Sequence, residues 1–298
     1  MKILLTGSSG FVGKHFAQLA QVVPLELDGR FVDLQNPKDV EDAVAAVQPE
    51  AVVHLAAQAF VPESFRDPLE TYRVNFLGTY SLLCALKTIG FAGRMLYVSS
   101  GEVYGAVADA DLPVREVLPP KPLNPYSVSK VAAEALCYQW SQTERFEVVI
   151  ARPFNHIGPG QSERFAISDF AKQVAEIKQG RKEPVFRVGD IDVTRDFTDV
   201  RDVVRAYLAL LEAGRNSETY NVCSQREYSI RSLLTAMLKM VSIEADIVPD
   251  ESRFRGNQQR RMLGSYEKLL TDTKWRPTIP MERSLADVVD YWLLGRQD

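Results

Sequence analysis

The sequence predicts an α/β protein with a doubly wound parallel sheet and a smaller C-terminal α/β lobe. Short runs of Val, Ile and Leu alternate with longer segments of helical periodicity, and a glycine-rich turn follows the first of these runs. Apolar strands that alternate with helices are typical of a parallel sheet buried on both faces. The regular alternation loosens after about Pro159, which indicates that a second lobe begins there.

Five strands and four helices are predicted in the first half of the chain. The strands cover residues 2–5, 23–27, 51–55, 94–98 and 147–151, and the helices cover residues 12–21, 37–47, 69–89 and 126–142. Right-handed crossovers between successive strands turn such a run into a doubly wound sheet.

The second half predicts a helix over 165–179, a strand over 185–188 and a helix capped by Thr198 or Asp199. The short apolar strand 219–222 is suited to rejoin the first sheet, so we expect the two lobes to interleave along the chain. The first domain is then expected to cover residues 1–160 with about 195–228, and the second lobe residues 161–194 with 229–298.

The composition excludes several classes of protein. The net charge is −4, so nucleic acid is not an expected partner. No apolar run approaches the roughly 18 to 20 residues of a membrane helix, and Gly7 interrupts the N-terminal run too early for a signal peptide. We therefore expect a cytoplasmic protein that does not associate with membranes. Cys84, Cys137 and Cys223 are odd in number and far apart, which predicts buried thiols and no metal site.

The glycine-rich turn after the first strand predicts a dinucleotide-binding site. Gly7, Gly10 and Gly13 are spaced three residues apart where the strand passes into a helix. Glycine there permits a tight turn and lets backbone N–H groups approach a pyrophosphate, and the helix N-terminus adds partial positive charge. We expect Phe11 and Val12 to complete this cradle, and the ligand to be NADP(H) or NAD(H).

The residues after the second strand leave the choice between NAD and NADP open. A carboxylate there binds the ribose 2′-hydroxyl of NAD, whereas a cation accepts the 2′-phosphate of NADP. Asp28 stands where the carboxylate is expected, but Arg30 follows it and Lys14 lies beside the cradle. Asp33, which precedes Leu34, is instead a candidate for contact with the adenine. Each of these charges is equally explained as a solvated loop residue.

The third strand ends in residues that suit a dinucleotide. Leu55, Ala56 and Ala57 follow one another at its carboxyl end, and the small alanines let a cofactor lie against the backbone. His54, just before them, is interpreted as a hydrogen-bonded core residue rather than as a catalyst.

The segment 124–130 predicts proton-transfer chemistry. Pro125 opens a helix, so Tyr126 and Lys130 lie one turn apart on the same face. An ammonium beside a phenol favours the phenolate, so we expect the pKa of Tyr126 to fall below its usual value of about 10. Tyr126 then acts as an acid or base near neutral pH. Ser100, at the carboxyl end of the fourth strand, is placed to hydrogen-bond the same substrate oxygen.

In this order and spacing, the three glycines, Ser100 and the Tyr126/Lys130 pair resemble the extended short-chain dehydrogenase/reductase family, in its nucleotide-sugar branch. The resemblance covers essentially the whole chain. It implies a Rossmann domain that holds NAD(P), catalysis by these three side chains, and a C-terminal lobe that binds a nucleoside diphosphate sugar. It also implies that Lys130 bonds the nicotinamide ribose and that Asn75 and Pro153 belong to the cofactor site.

Within this branch, the segments 99–105, 151–161 and 195–202 are most similar to enzymes of GDP-4-keto-6-deoxyhexoses. The implied reaction is the reduction of the 4-keto group of GDP-4-keto-6-deoxy-D-mannose to GDP-D-rhamnose. By the same resemblance, Asn155 and Arg195 contact the pyrophosphate and its sugar. The alternative for Arg195 is an ion pair with Asp196 or Asp199.

Four arginines and no acidic residue occur between residues 253 and 261. Arginine suits bidentate phosphate binding, although a solvated loop explains such a cluster equally well. The family pattern points to Arg255 as the phosphate ligand. Gly256 stands where the family usually has proline, which leaves Arg253 as the alternative.

The residues after Ser100 bear on the type of reaction. Family dehydratases commonly carry an acid or a hydroxyl where this chain has Gly101, so the glycine favours a reductase. Glu102 is expected to bind sugar hydroxyls. A carboxylate at this position could also remove a carbon-bound proton, as a 4,6-dehydratase requires, so that reaction stays an alternative. Epimerases usually have threonine at that position. A dinucleotide-sensing protein without catalysis is a further alternative, but such proteins usually lack the tyrosine and lysine. The family also implies a homodimer, formed by the helices 69–89 and 126–142.

Overall fold

The computed structural model describes residues 1–251 and 259–295. The strands of the first half are β1 (Ile3–Thr6), β2 (Val22–Pro24), β3 (Glu26–Leu27), β4 (Arg30–Phe31), β5 (Ala51–His54), β6 (Arg94–Val98) and β7 (Glu147–Pro153). The helices between them are α1 (Phe11–Leu19), α2 (Pro37–Val47), α3 (Val61–Arg66), α4 (Pro68–Tyr72), α5 (Gly78–Thr88) and α6 (Pro125–Thr143).

The second half has shorter strands. They are β8 (Asn155–Ile157), β9 (Val185–Val188), β10 (Thr194–Asp199), β11 (Thr219–Val222), β12 (Glu227–Ser229), β13 (Asp246–Pro249) and β14 (Arg261–Met262). The helices are α7 (Ala166–Lys178), α8 (Val200–Ala213), α9 (Ile230–Met240), α10 (Glu267–Thr273) and α11 (Met281–Leu293).

The central sheet has six parallel strands in the order β11-β7-β6-β5-β1-β2. The predicted fold class is therefore confirmed, and the strand at 219–222 does rejoin the first sheet. From β1 the chain order runs to β2 on one side and to β5 on the other. The carboxyl ends of β1 and β5 thus form the point at which the strand order reverses, where ligands bind in open α/β sheets.

Helices cover both faces of this sheet. One buried apolar cluster holds residues of α2, α5 and α6, including Val44, Leu82 and Trp140. The cluster on the opposite face holds residues of α1, α8 and α10, including Phe16 and Tyr207. The strands are buried between two helical layers, which explains why their sequences are mainly apolar rather than alternating.

The second half builds its own apolar cluster from α7, α9 and α11 around β9. Strands β12, β10 and β14 form a separate small sheet, β8 pairs in parallel with β10, and β13 pairs with β9. The boundaries proposed for the two lobes stay a prediction. None of the helices in the described ranges combines the length and hydropathy that a bilayer-spanning segment needs.

Two predicted elements differ from the structure. The helix expected over 69–89 is divided by a π-helical turn at Arg73–Leu77 between α4 and α5, and Asn75 lies buried within this turn. The strand expected over 23–27 ends at Pro24 and is followed by the hairpin β3–β4. Asp28 and Gly29 form its tip with positive φ angles of 51° and 74°, the conformation that Asp-Gly favours in two-residue hairpins. Asp28 is therefore exposed at a hairpin tip rather than placed at the end of β2.

A chain of hydrogen bonds fixes the carboxyl ends of β1 and β5. The Ala56 N–H donates to Thr6 Oγ1 (3.1 Å), and the Thr6 hydroxyl lies 2.7 Å from His54 Nδ1. His54 Nε2 lies 3.0 Å from Thr79 Oγ1, and the Thr79 hydroxyl donates to the Asn75 carbonyl (2.7 Å). Because the Thr79 proton is already used, His54 must donate from Nε2 and accept at Nδ1. His54 is thus a neutral core residue, as predicted, and burial lowers its pKa to about 3.

We predict a pH-dependent loss of stability from His54. In the unfolded chain its pKa returns to about 6.5, so the unfolded state binds one more proton than the folded state between about pH 6.5 and pH 3. The free energy of unfolding should fall with decreasing pH by about 1.4 kcal/mol per unit from this residue alone. Urea unfolding of the wild type and of His54→Asn between pH 4 and pH 7 measures the difference. Equal slopes in the two proteins would contradict the prediction.

Candidate active site

The turn after β1 is formed by backbone packed against backbone. Gly7 has a φ of +71°, and a Cβ there would lie 2.8 Å from the Ala56 nitrogen. A Cβ at Gly13 would lie 2.2 Å from the Gly7 carbonyl oxygen. These positions therefore exclude any side chain, and Gly10 caps α1 with no side chain of its own. The first N–H groups of a helix have no partner within it, so an uncapped helix start of this kind suits an anion.

The surroundings of the cradle fit a dinucleotide. Leu55 and Ala56 pack toward opposite faces of the sheet, which leaves the backbone after β5 facing Gly7. Asp33 is exposed, and its carboxylate accepts a hydrogen bond from the Gln35 N–H (2.9 Å). Leu34 is a buried core residue, so its side chain is committed to packing. The cofactor roles of these residues stay predictions.

The structure brings Ser100, Tyr126 and Lys130 together at the carboxyl edge of the sheet. Helix α6 begins at Pro125, and the Asn124 side chain caps it by accepting from the Ser127 N–H (2.8 Å). Tyr126 and Lys130 are both buried, and the Ser100 side chain interacts with the phenol and acts to lower its pKa. The predicted spacing therefore does assemble the expected group of side chains.

The predicted direction of the Tyr126 pKa is wrong. Burial raises the pKa of Tyr126 to about 12, the Ser100 side chain opposes this rise, and the Glu102 charge adds to it. Lys130 does not offset the burial, because its Nζ donates to the Val98 carbonyl (2.8 Å) and lies 5.9 Å from the Tyr126 ring centre. Burial also lowers the pKa of Lys130 to about 8. At neutral pH the phenol therefore holds its proton, which is the form that a proton donor requires.

Glu102 lies at the rim of the site. Ser100 accepts a hydrogen bond from the Glu102 N–H (3.2 Å) and thereby caps the short turn Gly101–Tyr104. The Glu102 side chain is exposed, and its charge acts on Tyr126. A carboxylate in this position is accessible to a ligand that approaches Tyr126.

Asn75 connects the loop after β5 to α6. Its Oδ1 accepts from the Gln58 N–H (2.8 Å), and its Nδ2 donates to the Gln58 carbonyl (3.1 Å) and to Ser129 Oγ (2.9 Å). Sequence reasoning missed Gln58 and Ser129, because their partner lies on another element. The contact of Asn75 with a nicotinamide stays a prediction.

Phe154 explains the glycine that follows Ser100. A Cβ at Gly101 would lie 3.1 Å from the Phe154 ring, and a Cβ at Gly264 would lie 2.7 Å from the same ring. Phe154 directly follows Pro153, the last residue of β7. The ring is thus enclosed between two glycines, and Gly101 has a packing reason in addition to any chemical one.

The predicted substrate residues of the second half are only partly brought together. Asn155 begins β8 beside Phe197 of β10. Arg195, on β10, donates to the carbonyls of Thr194 (2.7 Å) and Arg260 (3.4 Å). Both side chains are partly buried, and their roles stay predictions.

The carboxylates considered as partners of Arg195 have other hydrogen bonds. Asp196 accepts from Ser224, Gln225 and Gly264, and Asp199 pairs with Arg201. Arg255 and its alternative Arg253 lie outside the described residues.

An aromatic contact joins the cradle to the second half, and sequence reasoning missed it. The Phe11 ring stacks on His156 with centroids 6.1 Å apart and lies edge-on to His15 at 5.3 Å. His15 Nε2 is also 2.8 Å from the Pro159 carbonyl oxygen. His156 and Pro159 are more than 140 residues from Phe11 and His15, so no spacing pattern could have paired them.

Comparison with known proteins identifies the family. The profile described as GDP-mannose 4,6 dehydratase matches residues 25–288 of this chain.

The chain belongs to this family.

Several known proteins are similar to this chain over most of its length. The chain is 49% identical to a GDP-6-deoxy-D-mannose reductase of Pseudomonas aeruginosa, over 98% of this chain and 97% of that protein. It is 32% identical to a GDP-6-deoxy-D-talose 4-dehydrogenase of Aggregatibacter actinomycetemcomitans, over 91% and 90% of the two chains. A solved structure of RMD from Pseudomonas aeruginosa complexed with NADPH superposes with a TM-score of 0.94 at 47% identity, over 99% of each chain. The resemblance to nucleotide-sugar dehydrogenase/reductases is thereby confirmed for this family member.

We predict that Gly101→Ala destabilises this family member by about 1–3 kcal/mol, because the added methyl group presses on the Phe154 ring. Phe154→Leu in the same chain should recover part of that loss, since the smaller side chain makes room for it. Urea unfolding of the two single variants and the double variant measures the coupling between the sites. Strictly additive losses would show that the two positions do not press on each other.

Proposed function

We propose that this chain reduces the 4-keto group of GDP-4-keto-6-deoxy-D-mannose to GDP-D-rhamnose, with NADPH as reductant. The observation that carries the proposal is the 49% identity, over nearly the whole of both chains, to a GDP-6-deoxy-D-mannose reductase. The buried, protonated phenol beside a glycine cradle supports it, because ketone reduction needs a proton donor next to a hydride donor.

The bound dinucleotide supplies the hydride. We assign its pyrophosphate to the cradle at the start of α1, because the first N–H groups of a helix have no partner within the helix, and Gly7 and Gly13 hold this helix start tightly against β1 and β5. Lys130 is assigned to the nicotinamide ribose, and Asn75 and Pro153 to the side of the nicotinamide. The remaining assigned contacts are Phe11, Val12, Asp28, Asp33, Leu34, Leu55, Ala56 and Ala57.

NADP(H) is the cofactor we propose, because the Pseudomonas aeruginosa structure at 47% identity is complexed with NADPH. Arg30 and Lys14 are exposed and are the cations available to a 2′-phosphate. The exposed position of Asp28 at the hairpin tip makes a bond to a 2′-hydroxyl a weaker assignment.

The proton reaches the substrate from Tyr126. The raised pKa of about 12 keeps the hydroxyl protonated at neutral pH, so it can donate to the oxygen that becomes an alkoxide. The Ser100 hydroxyl bonds the same oxygen and holds the phenol in place. Lys130 takes part through the cofactor ribose, because its Nζ donates to the Val98 carbonyl (2.8 Å) and does not lower the pKa of the phenol. Glu102 orients the sugar through its hydroxyls.

We assign the nucleotide sugar to the second lobe, over residues 161–194 and 229–298, together with Asn155 and Arg195. Arg255 is kept as its phosphate ligand and lies outside the described residues. A cytoplasmic location is proposed from the sequence alone.

The reaction is tested by its stoichiometry. With GDP-4-keto-6-deoxy-D-mannose, the loss of NADPH absorbance should equal the GDP-D-rhamnose formed, and GDP-mannose should give no reaction. Tyr126→Phe should lower kcat by roughly 10²- to 10⁴-fold, because the proton donor is lost, while NADPH binding measured by fluorescence stays unchanged. Consumption of GDP-mannose without net oxidation of NADPH would instead identify a dehydratase.

We also propose a homodimer formed by α5 and α6. The support is apolar exposure on this side of the molecule, where Leu77, Tyr80 and Tyr138 are 49%, 47% and 55% exposed. Tyr80 and Trp140 lie edge to face at 6.3 Å and join the two helices. Exposed apolar side chains grouped on one surface are typical of a protein interface.

Tyr80→Glu is predicted to convert the dimer into a monomer, because it buries a charge at the interface. Leu270→Glu is the matched control, since Leu270 is also exposed but lies on α10, against the opposite face of the sheet. Light scattering after size exclusion gives the mass of each variant. A wild-type mass of about 33 kDa, that of one chain, would overturn the proposal.

A further inference from the structure

A buried ion pair lies on the far side of Lys130 from Tyr126. The Arg152 guanidinium holds the Glu134 carboxylate with two hydrogen bonds, from Nε to Oε1 (2.9 Å) and from Nη2 to Oε2 (2.6 Å). The two side chains are only 7% and 8% exposed. Two charges removed from water are costly to hold, so a buried pair next to a catalytic group invites a functional explanation.

The sequence places the pair in line with the catalytic residues. Tyr126, Lys130 and Glu134 follow one another at four-residue intervals on α6, so they occupy one face of the helix. Arg152 comes from β7 and directly precedes Pro153. The pair is therefore part of the same row of side chains and not a separate surface feature.

The groups around the Lys130 ammonium are mostly neutral. Tyr126 and Cys137 face it from α6, Tyr97 from β6 and His54 from β5. Burial raises the pKa of Tyr97 and that of Cys137, and it lowers the pKa of His54 to about 3. Glu134, which lies on the same face of α6 as Lys130, adds a carboxylate to these neutral groups.

Glu134 acts on Lys130 through space rather than by a direct bond. Both of its oxygens are taken by Arg152, and the Lys130 ammonium donates to the Val98 carbonyl instead (2.8 Å). An ammonium has three N–H donors, so this arrangement leaves others for a ligand. The Glu134 charge nevertheless favours the charged form of Lys130 without a direct bond.

Arg152 is itself held on its other side. Its guanidinium stacks on the Tyr104 ring at 4.8 Å, and the Tyr104 hydroxyl donates to Asn221 Oδ1 (2.7 Å). The carboxylate of Glu134 is thus prevented from turning toward Lys130 and taking up its protons. Held in this position, the Glu134 carboxylate exerts its charge on Lys130 without accepting a hydrogen bond from the ammonium.

We propose that the Glu134–Arg152 pair is a positioning element that keeps Lys130 charged while leaving its N–H groups free for the cofactor ribose. This inference rests on the proposed function, in which Lys130 binds that ribose. Glu134 and Arg152 touch neither substrate nor cofactor in this assignment.

The decisive variant is the double substitution Glu134→Met with Arg152→Met. Replacing a buried ion pair with apolar side chains commonly preserves stability, so the variant should fold with a thermal midpoint near that of the wild type. Loss of the carboxylate should move the alkaline limb of the pH profile of kcat/KM about one unit toward acid. NADPH binding, measured by fluorescence without substrate, should weaken about fivefold at pH 8 and little at pH 6.

Glu116→Gln is the matched control, because Glu116 accepts the Asn221 N–H in the same network (2.8 Å) but does not face Lys130. Its pH profile should equal that of the wild type. If the double variant does not fold, Glu134→Gln is measured in the same two assays and should shift them in the same direction.

A folded variant whose pH profile and NADPH affinity match the wild type would reduce the pair to a structural role and overturn the proposal. The two assays also separate this inference from the proposed function. If the wild type reduced no nucleotide sugar, the proposed function would fail, whereas the pH dependence of NADPH binding would still decide the role of the pair.

Discussion

The structure depends on the close passage of the chain at the end of β1. Gly7 and Gly13 bring backbone against backbone where any Cβ would overlap a neighbouring atom. This contact sets the start of α1 over the carboxyl ends of β1 and β5, at the point where the strand order reverses. The Thr6–His54–Thr79 hydrogen bonds then fix the same strand ends from within. Helix α6, which carries Tyr126 and Lys130, packs against strand ends whose positions are already fixed.

Burial is the second determinant of the site, and it acts on two groups in opposite directions. It raises the pKa of the Tyr126 phenol and lowers that of the Lys130 ammonium, so each is driven toward its neutral form. The neutral form is the one in which a phenol can donate a proton. For the lysine, the neutral form means the loss of its positive charge. The buried carboxylate of Glu134 opposes the loss of charge on Lys130.

Local patterns predicted most of the fold, because strand hydropathy, the glycine spacing and the Pro125 helix start are properties of adjacent residues. The spacing of Tyr126 and Lys130 predicted that they share a helix face but not that both are buried. Burial decides the direction in which each pKa shifts. Within the π-helical turn, Asn75 contacts residues of other elements. Hydrophobic periodicity within a single helix carries no information about such contacts, so it could not predict the turn. The Arg152–Glu134 pair was missed for the same reason.

Phe154 is enclosed by Gly101 and Gly264 on two sides, and this limits how the family can diverge at these positions. A lineage that acquires a larger residue at 101 would first need a smaller one at 154, because the reverse order passes through an overpacked intermediate. The three positions are thus epistatic, and the residue that follows Ser100 cannot drift independently. The range of side chains that evolution can place at position 101 is therefore set by the packing of an aromatic ring.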